Sequence, residues 1–312
     1  MRYRNLGNSG LKVSELALGA WFRDGLTYDK TSLNHLLGEA LEQGVNLIDF
    51  ADIYGRGETE SLYGELLADY PRHQLVLSSK CYWPMSEGAN DRGLSRKHLI
   101  ESVQGSLKRL QTDYLDLYLC HSEDHETPLE ETVRAMADLI RRGDILYWGI
   151  CGWRKASLIE LFKLCEALNA PKPICHQMPY NLLESYPEQE LLKVSAQLGL
   201  GVSAWSPFAG GVLARGPQGS QQQHADLPDA LWRLQTNQNI NVNEYFERFE
   251  MLASDANMSK AQLALSWVLR REEITNVILG VSSLEQMTEN LKVLGQTVSP
   301  RILTQLSVLF NT

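Results

Sequence analysis

The stretch VNLIDFADIYG, residues 45–55, joins a short apolar run to two polar residues that can take part in proton transfer. The same arrangement recurs in LVLSSKCYW, residues 75–83, and in LDLYLCHSED, residues 115–124. The polar residues that follow the three runs are Asp49 and Tyr54, then Lys80, then His121. Catalytic side chains of eight-stranded (β/α) barrels gather at the carboxyl ends of the strands. The three stretches therefore predict one site at that edge of a barrel.

Strand-like and helix-like stretches alternate along the chain, which predicts a (β/α)8 TIM barrel. The strand candidates are short and mostly apolar, as strands covered on both faces should be. They are Glu15–Leu18, Val45–Asp49, Leu75–Ser79, Leu115–Leu119, Leu146–Ile150, Ile174–Gln177, Gly201–Ala204 and Asn276–Leu279. The predicted helices include Leu33–Glu42, Glu60–Ala68, Arg96–Leu110, Leu129–Arg142, Ala156–Leu168 and Glu188–Leu198. Ser95 and Thr127-Pro128 are predicted helix starts, and Gly44 and Gly143 are predicted helix ends.

Two further elements are expected outside the eight units. An N-terminal β-hairpin is predicted from Met1–Asn5, a turn at residues 8–10, and Lys12–Ser14. An extra C-terminal helix, Arg301–Phe310, follows the eighth unit. No linker-like boundary interrupts the alternation, so residues 1–312 are predicted to form a single barrel domain, which is a normal length for this fold.

Composition excludes several classes of function. Hydrophobic residues make up 44% of the chain, enough for a large core. The net charge of −9 argues against nucleic acid or an anionic membrane as a partner. No apolar run approaches the ~20 residues that span a bilayer, and the N-terminus has no apolar signal core. The five cysteines show neither a CxxC pair nor a zinc spacing, which predicts no metal site and a reduced, cytoplasmic protein.

The chemistry of the four polar residues is complementary. An isolated tyrosine, with a pKa of about 10, is a weak acid at neutral pH. A lysine ammonium beside the phenol favours the phenolate, and an aspartate can keep that lysine charged. A histidine can orient a carbonyl group. Each residue alone is more often structural or solvated, but the order Asp-x4-Tyr, Lys, His on successive strand ends predicts a catalytic tetrad.

This order of residues resembles the aldo-keto reductases, whose tetrad is Asp, Tyr, Lys and His. DFADIYG, residues 49–55, is similar to the family's D-T-A-x-x-Y-G, with Phe50 in place of Thr or Ser. The resemblance runs from Leu6 to about Leu294. Within the family, the middle of the chain is similar to the branch that contains the voltage-gated potassium channel β subunits. The segments that carry this similarity are RGLSRKHLIESVQGSLKRLQTDYLDLY, TPLEETVRAMADLIRRGDILYWGI and AWSPFAGGVL.

The resemblance implies a role for each member of the tetrad. Tyr54 would be the general acid that protonates a carbonyl oxygen, and Lys80 would lower its pKa. Asp49 would pair with Lys80, and His121 would hydrogen-bond the carbonyl and fix its direction. Asp52 lies in the same loop but outside the family tetrad, and it is interpreted as an ordinary loop or capping residue.

The hydride must come from a cofactor, because no side chain supplies one. No Rossmann GxGxxG follows the first strand, and the resemblance implies a nicotinamide nucleotide bound by the barrel itself. In GICGW, residues 149–153, the family commonly reads G-x-S-N, so Cys151 and Gly152 depart from the pattern. Gln177 would still hold the carboxamide. Trp205 would stack on the nicotinamide ring, with core packing as the alternative.

A second cofactor signature, ILGVSSLEQMTEN at residues 278–290, resembles the family's I-P-G-x-S-x-x-E-Q-x-x-E-N. Gly280 would allow close backbone approach, and Ser282 with the following helix start would bind a phosphate. The family often adds a Lys or Arg after the seventh strand for the 2′-phosphate, and Arg215 is the nearest cation here. NADP(H) is expected, with NAD(H) as the alternative. The predicted cofactor-binding residues are Gly19, Trp21, Asp49, Cys151, Gln177, Trp205, Ser206, Pro207, Phe208, Gly210, Arg215, Gly280, Ser282, Gln286, Glu289 and Asn290.

The loops at the catalytic edge supply two more expectations. Residues 208–242 break the strand-helix rhythm, so they are interpreted as a cofactor lid loop, with a plain solvated loop as the alternative. Aromatic residues in the other loops predict an apolar mouth for a small carbonyl substrate. These are Trp21, Phe22, Tyr82, Trp83, Trp153 and Phe208. Arg23 and Arg154 could attract an acidic substrate, but they are interpreted as surface charges.

The leading hypothesis is an NADP(H)-dependent oxidoreductase that reduces an aldehyde or ketone to the alcohol by hydride transfer. The alternative is a nicotinamide-sensing regulatory subunit that resembles the channel β subunits. Those subunits usually have Asn at the position of His121, so the histidine here favours turnover. An unrelated barrel isomerase or lyase is the third hypothesis, and the signature at residues 282–290 argues against it. Oligomerisation is possible, and the sequence does not specify the physiological carbonyl.

Overall fold

The centre of the computed structural model, which describes residues 1–21, 29–216 and 242–310, is a closed barrel of eight parallel strands. Its strands are β3 (Leu16–Gly19), β4 (Leu47–Asp49), β5 (Val76–Cys81), β6 (Leu115–Cys120), β7 (Ile145–Cys151), β8 (Cys175–Pro179), β9 (Gly201–Trp205) and β10 (Ile274–Gly280). They pair in chain order, and β10 closes the barrel against β3. An antiparallel hairpin of β1 (Tyr3–Asn5) and β2 (Lys12–Ser14) precedes them. The predicted TIM-barrel fold with its N-terminal hairpin is confirmed.

Helices follow the strands on the outside of the barrel. They are α1 (Lys30–Glu42), α2 (Glu58–Leu67), α3 (Arg96–Leu110), α4 (Leu129–Arg142), α5 (Lys155–Ala167), α6 (Leu191–Leu198), α7 (Val212–Arg215), α8 (Val242–Asp255), α9 (Lys260–Leu269), α10 (Leu284–Leu291) and α11 (Pro300–Phe310). Short 3-10 turns cover Tyr54–Gly57, Arg72–Gln74 and Tyr186–Glu188. The last helix, α11, is the extra C-terminal helix that the sequence predicts. Within the described residues, the structure contains no helix with the length and apolarity needed to cross a membrane.

Local signals determine where helices begin and end. The Ser95 side chain accepts a hydrogen bond from the His98 N–H and caps α3, which spans the predicted residues. Gly143 adopts a left-handed conformation with φ of 81° and ends α4 at the predicted position. The predicted helix Glu188–Leu198 begins later, at Leu191. Glu188 instead ends a 3-10 turn that contains Pro187.

The hairpin covers the amino-terminal end of the barrel. Leu6 and Val13 are fully buried and belong to the same apolar cluster as Ala17, Leu47 and Ile278 of the barrel strands. A larger apolar cluster lies between the strands and the surrounding helices. With the amino end covered by the hairpin, the carboxyl ends of the strands are the edge that can hold a site.

The lid prediction for residues 208–242 is largely untested. Residues 212–215 form α7, and residues 217–241 lie outside the described residues, as do Phe22 and Arg23.

Candidate active site

The four residues of the predicted tetrad lie at the carboxyl edge of neighbouring strands. Asp49 ends β4 and pairs in register with Ser78 of β5, two residues before Lys80. His121 follows the last residue of β6. Tyr54 begins the 3-10 turn that connects β4 to α2. The structure therefore brings together the four side chains that the sequence placed on three separate stretches.

The Lys80 ammonium group is the centre of the arrangement. It is fully buried and donates to Asp49 Oδ2 at 2.7 Å, to the Phe50 carbonyl oxygen at 2.6 Å and to Tyr54 Oη at 3.2 Å. An ammonium group has three protons to donate, so every one of them has a partner. These bonds fix the charge of Lys80 next to the phenol oxygen.

Asp49 is held by groups on two other strands. Its Oδ1 accepts hydrogen bonds from Ser78 Oγ and, at 3.1 Å, from Gln177 Nε2. Sequence reasoning missed Ser78 and the Phe50 carbonyl as members of the site. The signal for Ser78 was available, because residues two apart in a strand face the same side and Ser78 precedes Lys80 by two.

The electrostatic environment keeps Lys80 charged. Burial alone would lower the pKa of Lys80, but the charges of Asp49 and Tyr54 and the hydrogen bond to Asp49 outweigh it and raise the pKa. Burial also raises the pKa of Tyr54 above its ordinary value, and the Lys80 ammonium opposes this only in part. Lys80 thus acts on the Tyr54 pKa in the expected direction, but desolvation of the phenol is the larger effect. The phenol stays protonated at neutral pH, as a general acid must.

His121 is neutral at physiological pH. Burial, assisted by the nearby Lys80 charge, lowers the pKa of His121 to about 3. Its ring lies edge-on to the rings of Tyr54 and Trp83, with centroid distances of 6.0 and 6.4 Å. Among the described residues, His121 Nδ1 has no hydrogen-bond partner. A neutral imidazole in this position can bond a substrate oxygen without adding a charge.

Three tryptophans give the described rim of the site an aromatic character. Trp21, Trp83 and Trp205 are 52%, 45% and 38% exposed, and each lies in or next to a catalytic-edge loop. The exposure of Trp205 argues against the alternative interpretation, in which its side chain packs in the core. Trp153, by contrast, is buried. The surface-charge interpretation holds for Arg154, because its guanidinium pairs with Glu123 at 3.0 Å.

Residues predicted to hold the nicotinamide lie beside Asp49. Cys151 Sγ is 3.8 Å from Gln177 Oε1, so the two side chains adjoin across β7 and β8. Gly152 follows with φ of 68° and open space where a side chain would start. A Cβ at Gly19 would lie 2.8 Å from Ile278 Cγ2, so this position at the end of β3 requires glycine. The structure thus places Cys151 and Gln177 side by side, with Gln177 bonded to Asp49.

The turn after β9 holds the next group of predicted cofactor residues. Ser206, Ala209 and Gly210 have positive φ angles of 55°, 48° and 66°, which makes the turn tight. Pro207 is buried in it, and Phe208 is half-buried. The exposed Arg215 guanidinium packs back on the turn, since a Cβ at Gly211 would lie 2.3 Å from Arg215 Nη2. The structure thus places the predicted phosphate-binding cation at this turn.

The start of α10 holds the last predicted group. Gln286 Oε1 accepts from the Ser282 N–H at 3.0 Å, so the glutamine covers the donor predicted for phosphate. Glu289 Oε1 accepts from Gln262 Nε2 at 3.0 Å, and Lys292 Nζ binds Glu289 Oε2 at 3.1 Å. Asn290 is buried, whereas Gly280 is exposed. Gln286 is thus bonded to Ser282, whereas Glu289 is bonded to Gln262 and Lys292.

Asp52 lies in the loop that follows β4 and outside the tetrad, as the sequence predicts, but its side chain is buried there. Asp52 is 1% exposed, and its Oδ2 accepts from Ser102 Oγ at 2.6 Å. It lies between the barrel wall and α3, on the opposite side of the wall from the Lys80 ammonium. The sequence carried no signal for this placement, because Ser102 is distant along the chain.

Comparison with known proteins identifies the family. The model of the aldo/keto reductase family matches residues 15–306. A protein of Oryza sativa subsp. japonica described as a probable voltage-gated potassium channel subunit beta is 38% identical over 305 residues, which cover 94% of this chain and 91% of the relative. An Arabidopsis thaliana protein with the same description is 35% identical over 302 residues, with 94% and 90% covered.

Proposed function

This chain belongs to the aldo/keto reductase family, and we propose that it is an NADP(H)-dependent reductase of small aldehydes or ketones. The family consists of oxidoreductases that bind NAD(P)H and act on carbonyl compounds. One observation carries the proposal most directly. The buried Lys80 ammonium bonds Asp49 and Tyr54 together, at 2.7 and 3.2 Å, on the catalytic edge of a barrel.

Tyr54 is the proposed proton donor. When bound, the nicotinamide nucleotide supplies the hydride to the carbonyl carbon. Tyr54 Oη gives its proton to the carbonyl oxygen, and the Lys80 ammonium at 3.2 Å stabilises the phenolate that remains. Asp49 holds Lys80 charged and directed at the phenol. The neutral His121 imidazole directs the carbonyl oxygen towards Tyr54.

NADP(H) is the proposed cofactor form. Arg215 lies at the turn that follows β9, where a guanidinium can pair with the 2′-phosphate. The segment from Gly280 to Ser283 has no carboxylate that could accept from the 2′-hydroxyl of NAD. Burial of all five cysteines as free thiols supports the expectation of a reduced, cytoplasmic setting.

A second function is favoured by the relatives. The Oryza and Arabidopsis proteins are described as probable channel β subunits, which supports a regulatory subunit that binds a nicotinamide nucleotide without rapid turnover. The chemistry of His121 favours the enzyme, because a neutral imidazole can hydrogen-bond a carbonyl oxygen.

The two functions separate in one experiment. NADPH and NADH are titrated against the intrinsic tryptophan fluorescence, and NADPH oxidation is then followed with a panel of aliphatic and aromatic aldehydes. Steady turnover in the parent and its loss in Tyr54→Phe support the reductase. Tight NADPH binding with no turnover above that of Tyr54→Phe would support the regulatory subunit instead.

A further inference from the structure

A hydrogen-bonded chain of side chains lies behind the catalytic edge, on the outer side of the barrel wall. Tyr118 Oη of β6 donates to Ser102 Oγ of α3 at 2.9 Å, and Ser102 Oγ donates to Asp52 Oδ2 at 2.6 Å. At its other end, Tyr118 lies next to the thiol of Cys81 in β5. Asp52, Ser102, Tyr118 and Cys81 are all buried. The chain therefore connects the loop that carries Tyr54 to a helix and to two barrel strands.

Backbone contacts tie the same elements together next to the tetrad. The Asp52 N–H donates to the Lys80 carbonyl oxygen at 3.1 Å. The His121 N–H donates to the Cys81 carbonyl oxygen at 3.0 Å. Asp52 precedes Tyr54 by two residues, so a shift of its side chain would move the start of the turn that carries the phenol.

We propose that Asp52 is a positioning residue for the reductase reaction, which holds the Tyr54 turn against β5 and β6 through Ser102 and Tyr118. The inference rests on the proposed function of the same site. Asp52 does not touch the reacting atoms. It keeps Tyr54 Oη at hydrogen-bond distance from Lys80, and small misplacements of such groups reduce rates strongly.

The surroundings of Asp52 favour its neutral form, and this form holds the Tyr54 turn better than the ionised form. Glu60 of α2 lies nearby and pairs with Arg109 of α3 at 2.7 Å, so that guanidinium is already engaged. The other facing groups are the neutral Tyr118 and Cys81. Among the described residues, Asp52 Oδ1 has no hydrogen-bond partner, so ionisation leaves one of the two buried carboxylate oxygens without a donor. Ser102 and the Ile53 N–H favour the charged form, but burial outweighs them.

The consequence is a pH dependence near neutrality. Burial raises the pKa of Asp52 to about 7; Ser102 opposes this by its hydrogen bond, and the Glu60 charge adds to it. Above that pH the ionised carboxylate attracts water and loosens the turn. Turnover of the parent should therefore decline between pH 6 and 8, well below the range in which Tyr54 itself ionises.

Two Asp52 variants and one matched control test the proposal. Asp52→Ala should lower kcat by about tenfold while the NADPH Kd changes by less than about twofold, because only the turn is displaced. Asp52→Asn, which cannot ionise, should retain most of the parent kcat at pH 6 and show no decline to pH 8. The control is Asp116→Ala, which removes a buried carboxylate of β6 that binds Arg72 near the amino end of the strand.

Equal kcat losses in Asp52→Ala and Asp116→Ala would overturn the proposal, since general destabilisation would then explain both. A parent-like pH decline in Asp52→Asn would overturn it as well. The readout that needs no activity is the Tyr54 ring signal in protein labelled with 13C-tyrosine, assigned by its loss in Tyr54→Phe. Asp52→Ala should shift that signal and Asp116→Ala should not; an unshifted signal in Asp52→Ala rejects the positioning role. A parent that reduces no carbonyl contradicts only the proposed function.

Discussion

The catalytic centre and the predicted adenosine end of the nucleotide site differ in how their side chains are held. Lys80 is fully buried with every proton bonded, and Asp49 accepts from three side chains. At the start of α10, Ser282 and Gln286 are exposed and bond mainly to one another. In the proposed reaction, the groups on the barrel strands are already assembled for proton transfer, whereas the groups at the helix start would exchange contacts when a nucleotide binds.

The sharpest way to test this difference is to remove the proton donor without changing the shape of the site. Tyr54→Phe keeps the ring and should reduce turnover by about 10²–10⁴-fold, the range for loss of a general acid. The NADPH Kd should be unchanged, because the adenosine end is untouched. Steady-state kinetics and fluorescence titration measure the two quantities, and a variant that reduces aldehydes at the parent rate would remove Tyr54 from the mechanism.

The coupling between Lys80 and Tyr54 predicts a shift in pH dependence. The Lys80 ammonium opposes the rise in the Tyr54 pKa, so Lys80→Met should raise that pKa further. Alcohol oxidation needs the phenolate, and its pH–rate profile should therefore move to higher pH. Asp49→Asn should act in the same direction, but less strongly. Profiles that overlay the parent for both variants would show that the two groups are not coupled.

The preference between NADPH and NADH tests the predicted adenosine end of the nucleotide site. A charge-assisted contact between Arg215 and the 2′-phosphate is worth roughly 1.5–3 kcal/mol. NADPH should therefore bind at least about tenfold more tightly than NADH, and the difference should shrink in Arg215→Ala. Arg134→Ala, which removes an exposed cation paired with Glu130 on α4, is the control and should leave the ratio unchanged. Equal parent affinities for the two nucleotides would reject the NADP(H) assignment.

The smallest expected effect concerns Gly152, which lies between the two regions. At this position the family commonly has Asn. The position has φ of 68° and open space around a new side chain, and Asn tolerates such backbone angles. Gly152→Asn should restore a bond to the carboxamide and tighten NADPH binding by about two- to tenfold. Gly143→Asn, at φ of 81° and also in open space, is the matched control. Identical Kd values for Gly152→Asn and the parent would show that nucleotide binding needs no such contact.

The sequence predicted the barrel well because its signals are local. Apolar runs located the strands to within a few residues, and Ser95 and Gly143 marked the ends of α3 and α4. The proximity of Asp49, Tyr54 and Lys80 followed from their position at successive strand ends.

Contacts that depend on register and on distant elements were missed. Ser78 meets Asp49 only because β4 and β5 pair in one particular register. Asp52 meets Ser102 fifty positions along the chain, which spacing alone does not predict. The desolvation that raises the Tyr54 pKa could not be predicted for the same reason, because it depends on everything packed around the phenol.

In the proposed reaction, this chain transfers hydride from NADPH to a carbonyl with Tyr54 as the acid. The direct test follows deuterium from NADPH dideuterated at nicotinamide C4 into the product of a reduced aldehyde, by mass spectrometry. We expect one deuterium on the carbinol carbon of each alcohol formed, in step with NADPH oxidation. With Tyr54→Phe, almost no labelled alcohol should form in the same time. An alcohol without the label would contradict the proposed reaction. Equal amounts of labelled alcohol from the parent and from Tyr54→Phe would contradict the role of Tyr54.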